Sequence, residues 1–118
     1  MNLEGDALGS ELATYSMLKK LGKKAVIYNN DSTPDIYKFL PFSKVIRNDP
    51  PDGKFDVAMA LDCSDVSRVG KVQDSLSKAG SIINIDHHIS NTYFGDINLV
   101  EPTAGSAAQI LYKLCEKL

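Results

Sequence analysis

Apolar residues recur along this chain with the period of a helix in some stretches and form short continuous runs in others. Helical spacing predicts a first helix over residues 7–21, with Gly22 as its C-cap. It also predicts helices over 67–79 and 104–118. Thr33 as N-cap and Pro34 at the first position predict a short helix over 34–40. The apolar pattern therefore contains three substantial helices and one short one.

Continuous apolar runs separate these helices and predict strands. They cover residues 23–28, 55–61, 81–85 and 97–100, and residues 44–46 are expected to pair briefly. Runs of this kind are typical of strands that are buried on both faces, as in parallel sheets. The alternation of strands and helices predicts an α/β fold, a mostly parallel sheet with helices on both faces.

Length, charge and cysteine content limit the class of protein, its partners and its location. The 118 residues allow one domain, and the net charge of −2 argues against a long nucleic acid duplex held by electrostatics. Cys63 and Cys115 are too few for a disulfide framework, which favours a cytoplasmic location. No apolar stretch has the length of a membrane span, so no membrane partner is expected.

Carboxylates and both histidines of the chain cluster in three loops. These loops contain Glu4 and Asp6 before the first helix, Asp62 after the strand at 55–61, and Asp86, His87 and His88 after the strand at 81–85. Parallel strands bring such loops to one edge of the sheet, where open α/β sheets bind their ligands. Carboxylate oxygens and neutral imidazoles are suitable ligands for divalent ions. A metal site at this edge is the functional interpretation.

Each of these residues also has an ordinary structural explanation. Asp6 and Asp62 are placed where acidic residues cap helices. Cys63 could act as a nucleophile with His87 or His88 as its base, but neighbouring carboxylates raise a thiol's pKa, so Cys63 is better explained by packing. The convergence of three loops on one edge favours the metal site over separate caps.

Other residues are candidates for binding phosphate. Ser10 lies in the first helix, Arg68 could bind a phosphate bidentately, and the backbone amides at 103–106 open the last helix. A surface salt bridge for Arg68 and close packing for the small residues are the alternatives, and the sequence leaves both open.

These motifs, taken together and in order, resemble the DHH phosphoesterase family over nearly the whole chain. The matching segments are Gly5-Asp6-Ala7-Leu8-Gly9-Ser10, Leu61-Asp62-Cys63-Ser64-Asp65 and Asp86-His87-His88. Residues 67–70, and residues 91–98 with Phe94-Gly95, resemble the branch of nano-RNA oligoribonucleases and 3′-phosphoadenosine-5′-phosphate phosphatases.

The resemblance implies a pair of Mn²⁺ ions, with Mg²⁺ or Co²⁺ as possible substitutes. It implies that Asp62 bridges the ions, with Glu4 on one and with Asp6 and His87 on the other. His88 would face the substrate phosphate while a water held by the ions attacks phosphorus, so Asp62 and His88 are the expected catalytic residues. Asp86 would support the motif structurally.

The chain also departs from the family pattern. A metal-binding His is expected just before Met1, Glu4 stands where the family has Asp, and the fourth motif's Asp would lie past Leu118. Residues 1–118 are therefore expected to be one partial DHH domain that lacks its first strand and the second, substrate-binding domain. We expect weak metal binding and little turnover from such a fragment, and its unpaired sheet edge could promote a homodimer.

The resemblance implies hydrolysis of short oligonucleotides or nucleotide bisphosphates. An inorganic pyrophosphatase with the same core is an alternative, as is a degenerate nucleotide-binding domain without catalysis. A plain flavodoxin-like binding module would leave the clustered Asp and His residues unexplained.

Overall fold

A computed structural model describes residues 5–29, 33–40, 42–48, 54–65 and 73–117. Its helices and strands alternate along the chain, as the apolar pattern predicts. In chain order they are α1 (Gly5–Lys20), β1 (Ile27–Tyr28), β2 (Ile46–Arg47), β3 (Val57–Leu61), α2 (Gln73–Ser77), β4 (Ser81–Asp86), β5 (Ile97–Val100) and α3 (Ala107–Glu116). Two 3₁₀ turns, Asp35–Tyr37 and Ser43–Val45, lie between β1 and β2. Within the described ranges, no helix is both long and apolar enough to span a bilayer.

The strands form parallel sheets, which confirms the α/β class. β3, β4 and β5 form one sheet in that order, and β1 pairs with β2 in a second. The predicted brief pairing near residue 45 is confirmed, since Ile46 is the Cα partner of Ile27. The two sheets share no strand pairing among the described residues.

Each sheet has its own apolar cluster with one long helix. α1 contributes Leu8 and Leu12, which pack with Ile27 of β1. α3 contributes Ile110 and Leu111, which pack with Ile85 of β4. The two helices also pack against each other, so α1 and α3 connect the two clusters and fix the edge where β3 and β4 end.

Element boundaries differ from the sequence prediction where local hydrogen bonds decide them. Gly22 follows the end of α1 by two residues with φ +76°, and Lys23 N–H donates to the Leu18 carbonyl, so the predicted glycine cap is confirmed. The short helix at 34–40 is only the 3₁₀ turn Asp35–Tyr37, and Pro34 rather than Thr33 occupies its N-cap position. The helix at 67–79 is described only over Gln73–Ser77, because residues 66–72 lie outside the described ranges.

Candidate metal centre

Asp62 follows β3 in a conformation that non-glycine residues rarely adopt. Its φ is +58°, while its N–H continues the β3–β4 ladder by donating to the Ile85 carbonyl at 2.9 Å. A left-handed conformation costs roughly 1–2 kcal/mol for a residue with a Cβ. The sheet thus ends abruptly at this residue, and strained backbone of this kind is concentrated at functional sites.

β4 ends at Asp86, and the two histidines that follow lie beside Asp62. His87 Nε2 is 3.2 Å and His88 Nδ1 is 3.7 Å from Asp62 Oδ1. One ligand atom each from Asp62, Asp86, His87 and His88 lies within 4.8 Å of the others. This is the edge at which the apolar runs predicted that the motifs would meet.

Asp86 is fully buried and holds the His88 ring. His88 Nδ1 lies 2.6 Å from Asp86 Oδ1, and Asn91 Nδ2 donates to Asp86 Oδ2 at 2.9 Å. Burial raises the pKa of Asp86, but hydrogen bonds from Asn91, His88 and the His87 backbone outweigh it and leave the pKa below its usual value. Because an ionised carboxylate only accepts, a hydrogen bond across this contact requires the proton on Nδ1 of His88.

The pKa of Asp62 is shifted in the direction opposite to that of Asp86. Burial and the negative charge of Asp6 raise its pKa to about 6, although His88 and His87 lower it. Its side chain is only 8% exposed, and its Oδ1 accepts no hydrogen bond of acceptable geometry from any described residue despite the nearby His87 ring. A buried carboxylate oxygen without a donor costs about 1–3 kcal/mol.

This donor set fits a hard divalent ion. The Oδ1 atom of Asp62 is a buried carboxylate oxygen that accepts no hydrogen bond from a described residue, and the Nε2 atom of His87 is beside it. Carboxylate oxygen with imidazole nitrogen suits Mn²⁺ and related ions. A cation at this position would offset both the burial and the repulsion from Asp6 that raise the Asp62 pKa.

Asp6 is a helix cap, though not of its own helix. Its two carboxylate oxygens accept hydrogen bonds from the backbone N–H groups of Ala107 and Ala108, both at 3.1 Å. Its Oδ2 is also 3.7 Å from His87 Nε2. Asp6 therefore borders the cluster while it connects the start of α1 to the start of α3.

The start of α3 has no free backbone amide for a phosphate in its first turn. Asp6 accepts from residues 107 and 108, and the Ser106 hydroxyl accepts from Gln109 N–H at 3.2 Å. Gly105 N–H donates to the Gln109 side chain. The first turn of α3 is therefore capped, while the suggested phosphate site on the amides of residues 103–106 stays a prediction.

The remaining predicted residues are only partly placed. Ser10 is 0% exposed, and its hydroxyl has no hydrogen-bond partner in the described part of the chain. Glu4 and Arg68 lie outside the described residues, so their roles stay predictions. Cys63 is buried and its thiol donates to the Asp65 carbonyl, which agrees with packing rather than nucleophilic attack.

Sequence reasoning missed three polar residues that surround the site. Asn84 is fully buried within β4, Asn91 is buried beside Asp86, and Glu11 accepts a hydrogen bond from Asn29 at 2.8 Å. Asn84 interrupts the apolar run Ile82–Ile85, and that interruption is the one signal that could have indicated it. Nothing in the helical pattern of α1 indicated that Glu11 is largely enclosed.

Comparison with known proteins agrees with this geometry. The model of the DHH family, N-terminal domain, matches residues 1–118. The bifunctional oligoribonuclease and PAP phosphatase NrnA of Thermus thermophilus is 37% identical over 119 residues, which cover 98% of this chain and 34% of that protein. The crystal structure of an exopolyphosphatase-related protein from Bacteroides fragilis superposes with a TM-score of 0.85 at 26% identity, over 96% of this chain and 36% of that one.

The chain spans about a third of the length of each of these proteins. The family match extends along the entire chain, and the carboxylates and histidines of the matching motifs are those that the sheet brings together. This chain belongs to the DHH phosphoesterase family and corresponds to its N-terminal domain.

Proposed function

We propose that this chain is the catalytic part of a metal-dependent phosphoesterase that hydrolyses short oligonucleotides or nucleotide bisphosphates, with Mn²⁺ as the preferred ion. The observation that carries the proposal is the cluster of Asp62, Asp86, His87 and His88 within 4.8 Å. The name of the Thermus thermophilus relative, which describes an oligoribonuclease and a PAP phosphatase, supports this choice of substrates.

Asp62, His87 and Asp6 are the proposed metal ligands among the described residues, and Glu4 is the fourth. Divalent ions would supply Lewis-acid charge for the phosphoryl oxygens and a water of lowered pKa. Asp62 is suited to a bridging position because one of its oxygens is already without a hydrogen-bond donor. Asp6 keeps its carboxylate 3.7 Å from His87 through its two hydrogen bonds to α3.

His88 is the proposed substrate contact. Its Nδ1 proton is held by Asp86, and 47% of its side chain remains exposed. Its second ring nitrogen, Nε2, is therefore the atom that faces the substrate, and when the ring is charged it can donate a hydrogen bond to a phosphoryl oxygen or a proton to the leaving oxygen. Ser10 and Arg68 are kept as proposed phosphate contacts.

Calorimetry of Mn²⁺ binding to this chain tests the metal site. We expect binding in the wild-type chain and a loss of affinity of about 10-fold or more in His87→Ala. Asp56→Asn, which changes an exposed carboxylate beside β3, is the matched control and is expected to bind as the wild type does. Absence of binding in the wild-type chain, or equal affinity in all three proteins, would contradict the proposal.

Product analysis tests the substrate class. Incubation with a dinucleotide, with 3′-phosphoadenosine-5′-phosphate and with pyrophosphate separates release of mononucleotide from release of phosphate. The B. fragilis structure is named as exopolyphosphatase-related, which makes phosphoanhydride hydrolysis the second candidate. Nucleotide binding that is independent of metal, without turnover, would instead favour a non-catalytic nucleotide-binding domain.

A further inference from the structure

Two buried asparagines connect the core of the sheet to the candidate metal centre. Asn84 lies inside β4 with no exposed surface, and its Nδ2 donates to the carbonyls of Ala60 at 3.3 Å and Cys63 at 3.0 Å. Those carbonyls flank Asp62, so Asn84 spans the strained turn that ends β3. A buried amide in a strand interior is costly unless its hydrogen bonds are made, and here they are.

Asn91 completes the connection on the other side of Asn84. Its Nδ2 donates to Asn84 Oδ1 at 2.7 Å and to Asp86 Oδ2 at 2.9 Å, and a weaker contact reaches the Cys63 carbonyl at 3.3 Å. Its Oδ1 accepts from the Tyr93 N–H at 2.7 Å. Rotation of the amide by 180° would set Oδ1 against these three acceptors, so the network fixes its orientation.

The fixed orientation of the Asn91 amide affects His88 through Asp86. Both oxygens of Asp86 have assigned partners, because Asn91 binds Oδ2 and the His88 ring binds Oδ1 at 2.6 Å. The donor on Oδ2 is neutral, so the negative charge of Asp86 remains available to the imidazole. Outer hydrogen bonds of this kind set the tautomer and orientation of a histidine.

We propose that Asn91 is a positioning residue that acts through Asp86 to hold His88 as the Nδ1–H tautomer, with Nε2 turned to the substrate. This inference rests on the proposed function, because the substrate contact of His88 belongs to it. The hydrogen-bond relay itself requires no ion and no substrate, so it can be tested separately.

Asn91→Asp is the most informative variant, because it preserves shape and replaces the donor to Asp86 by a second carboxyl group. Asn98→Asp is the matched control. The Asn98 amide also lies in the segment after His88, but it binds only the Gly95 backbone, and an aspartate oxygen can still accept from the Gly95 N–H. The two variants have the same change in charge and composition.

The measurement is the imidazole ¹⁵N chemical shifts of metal-free protein at a pH where both rings are neutral. His87→Ala assigns the two rings, since the chain has two histidines. We expect His88 to have a protonated Nδ1 and an unprotonated Nε2 in the wild type and in Asn98→Asp. In Asn91→Asp we expect the Nε2–H tautomer to become substantially populated, because a carboxylate at position 91 repels Asp86 and breaks its contact with His88 Nδ1.

Metal affinity and turnover separate positioning from general damage. Asn91→Asp should bind Mn²⁺ nearly as the wild type does, unlike His87→Ala, while kcat falls by about 10- to 100-fold wherever turnover is measurable. Unchanged tautomers in folded Asn91→Asp, or a loss of Mn²⁺ binding equal to that of His87→Ala, would overturn the inference.

Three further outcomes also support or overturn the inference. If Asn91→Asp does not fold, Asn91→Ala removes the donor to Asp86 without adding charge and has the same expected shift in tautomer. A wild-type His88 that is already the Nε2–H tautomer overturns the inference without any variant. If the tautomers respond as expected but no phosphoester is hydrolysed and Mn²⁺ does not bind, the proposed function fails and the positioning role stands.

Discussion

Asp62 combines two unfavourable features that an ordinary residue at the end of a strand avoids. Its backbone is left-handed at φ +58°, and its buried Oδ1 has no hydrogen-bond donor among the described residues. Glycine would remove both at once, since it has neither a Cβ nor a carboxylate. Stability alone therefore does not explain an aspartate here, whereas the proposed cation would.

Asp62→Gly should make the metal-free protein more stable and remove its affinity for Mn²⁺. The relief of strain and the loss of the unpaired oxygen exceed the entropy cost of glycine, for a net gain of about 1 kcal/mol in the free energy of unfolding. Urea denaturation and calorimetry measure the two effects. Tyr93→Gly, at a second positive φ of 55°, is the control that relieves strain and keeps Mn²⁺ binding. A less stable Asp62→Gly would contradict this argument.

Glu11 should make stability depend on pH in the direction opposite to most carboxylates. Burial, with a smaller contribution from Asp62, raises its pKa from 4.5 to about 8, although the Asn29 hydrogen bond lowers it. The folded state thus holds a proton that the unfolded state has released, and this contribution to stability is lost as pH rises between about 4.5 and about 8. Above that window, no further loss from this group is expected.

Glu11→Gln keeps an acceptor for Asn29 and removes the ionisation. We expect this variant to be more stable than the wild type by about 2–4 kcal/mol at pH 8.5, and the difference to shrink towards pH 4.5. Denaturation curves across this range measure it, with the exposed Glu116→Gln as control. If the wild type and Glu11→Gln lose stability in parallel between these pH values, Glu11 is not the cause.

At the scale of the elements, the apolar runs predicted the strands because a strand buried on both faces leaves a continuous signal. β5 was predicted at its exact limits, and the carboxyl ends of β3 and β4 followed from the residues Asp62 and Asp86. The site could be predicted to that extent, since strand ends in a parallel sheet share an edge.

The contacts between distant elements could not be predicted in this way. Asp6 was expected to cap its own helix or to bind metal, but its oxygens accept from α3, 101 and 102 residues away. The double hydrogen bond depends on how α1 and α3 pack, and no spacing along the chain encodes it. The polar pair Asn84 and Asn91 was missed for the same reason, because its partners belong to different strands and loops.

Asp6→Ala should destabilise α3 more than Ser106→Ala, which removes the N-cap residue of that helix. It removes the acceptors of two N–H groups, whereas Ser106→Ala removes the acceptor of one. We expect a loss of about 2 kcal/mol for Asp6→Ala and about 1 kcal/mol for Ser106→Ala in the absence of metal. Chemical denaturation in a chelating buffer measures both. An Asp6→Ala protein as stable as Ser106→Ala would show that the long-range cap contributes little.

For the whole molecule, the candidate metal centre lies where separate elements meet. Asp62 follows β3, His87 follows β4, and Asp6 belongs to α1 and caps α3. The two sheets share no strand pairing within the described residues, so packing of α1 and α3 carries the connection between them. An ion bound to these three side chains would add a second connection that crosses the same elements.

Mn²⁺ should therefore stabilise the entire fold rather than one loop. A ligand that binds only the folded state at 100 times its Kd adds about 2.7 kcal/mol to the free energy of unfolding, which corresponds to a rise in Tm of roughly 10 °C for a domain of this size. Thermal unfolding with and without Mn²⁺ measures the rise, and hydrogen exchange should show added protection in β3, β4 and α1 together.

His87→Ala, which keeps Asp62 and Asp6, should lose most of the rise in Tm. An equal rise in His87→Ala would mean that Mn²⁺ binds elsewhere, and protection confined to the residues after β4 would mean that the ion holds a loop without joining the elements.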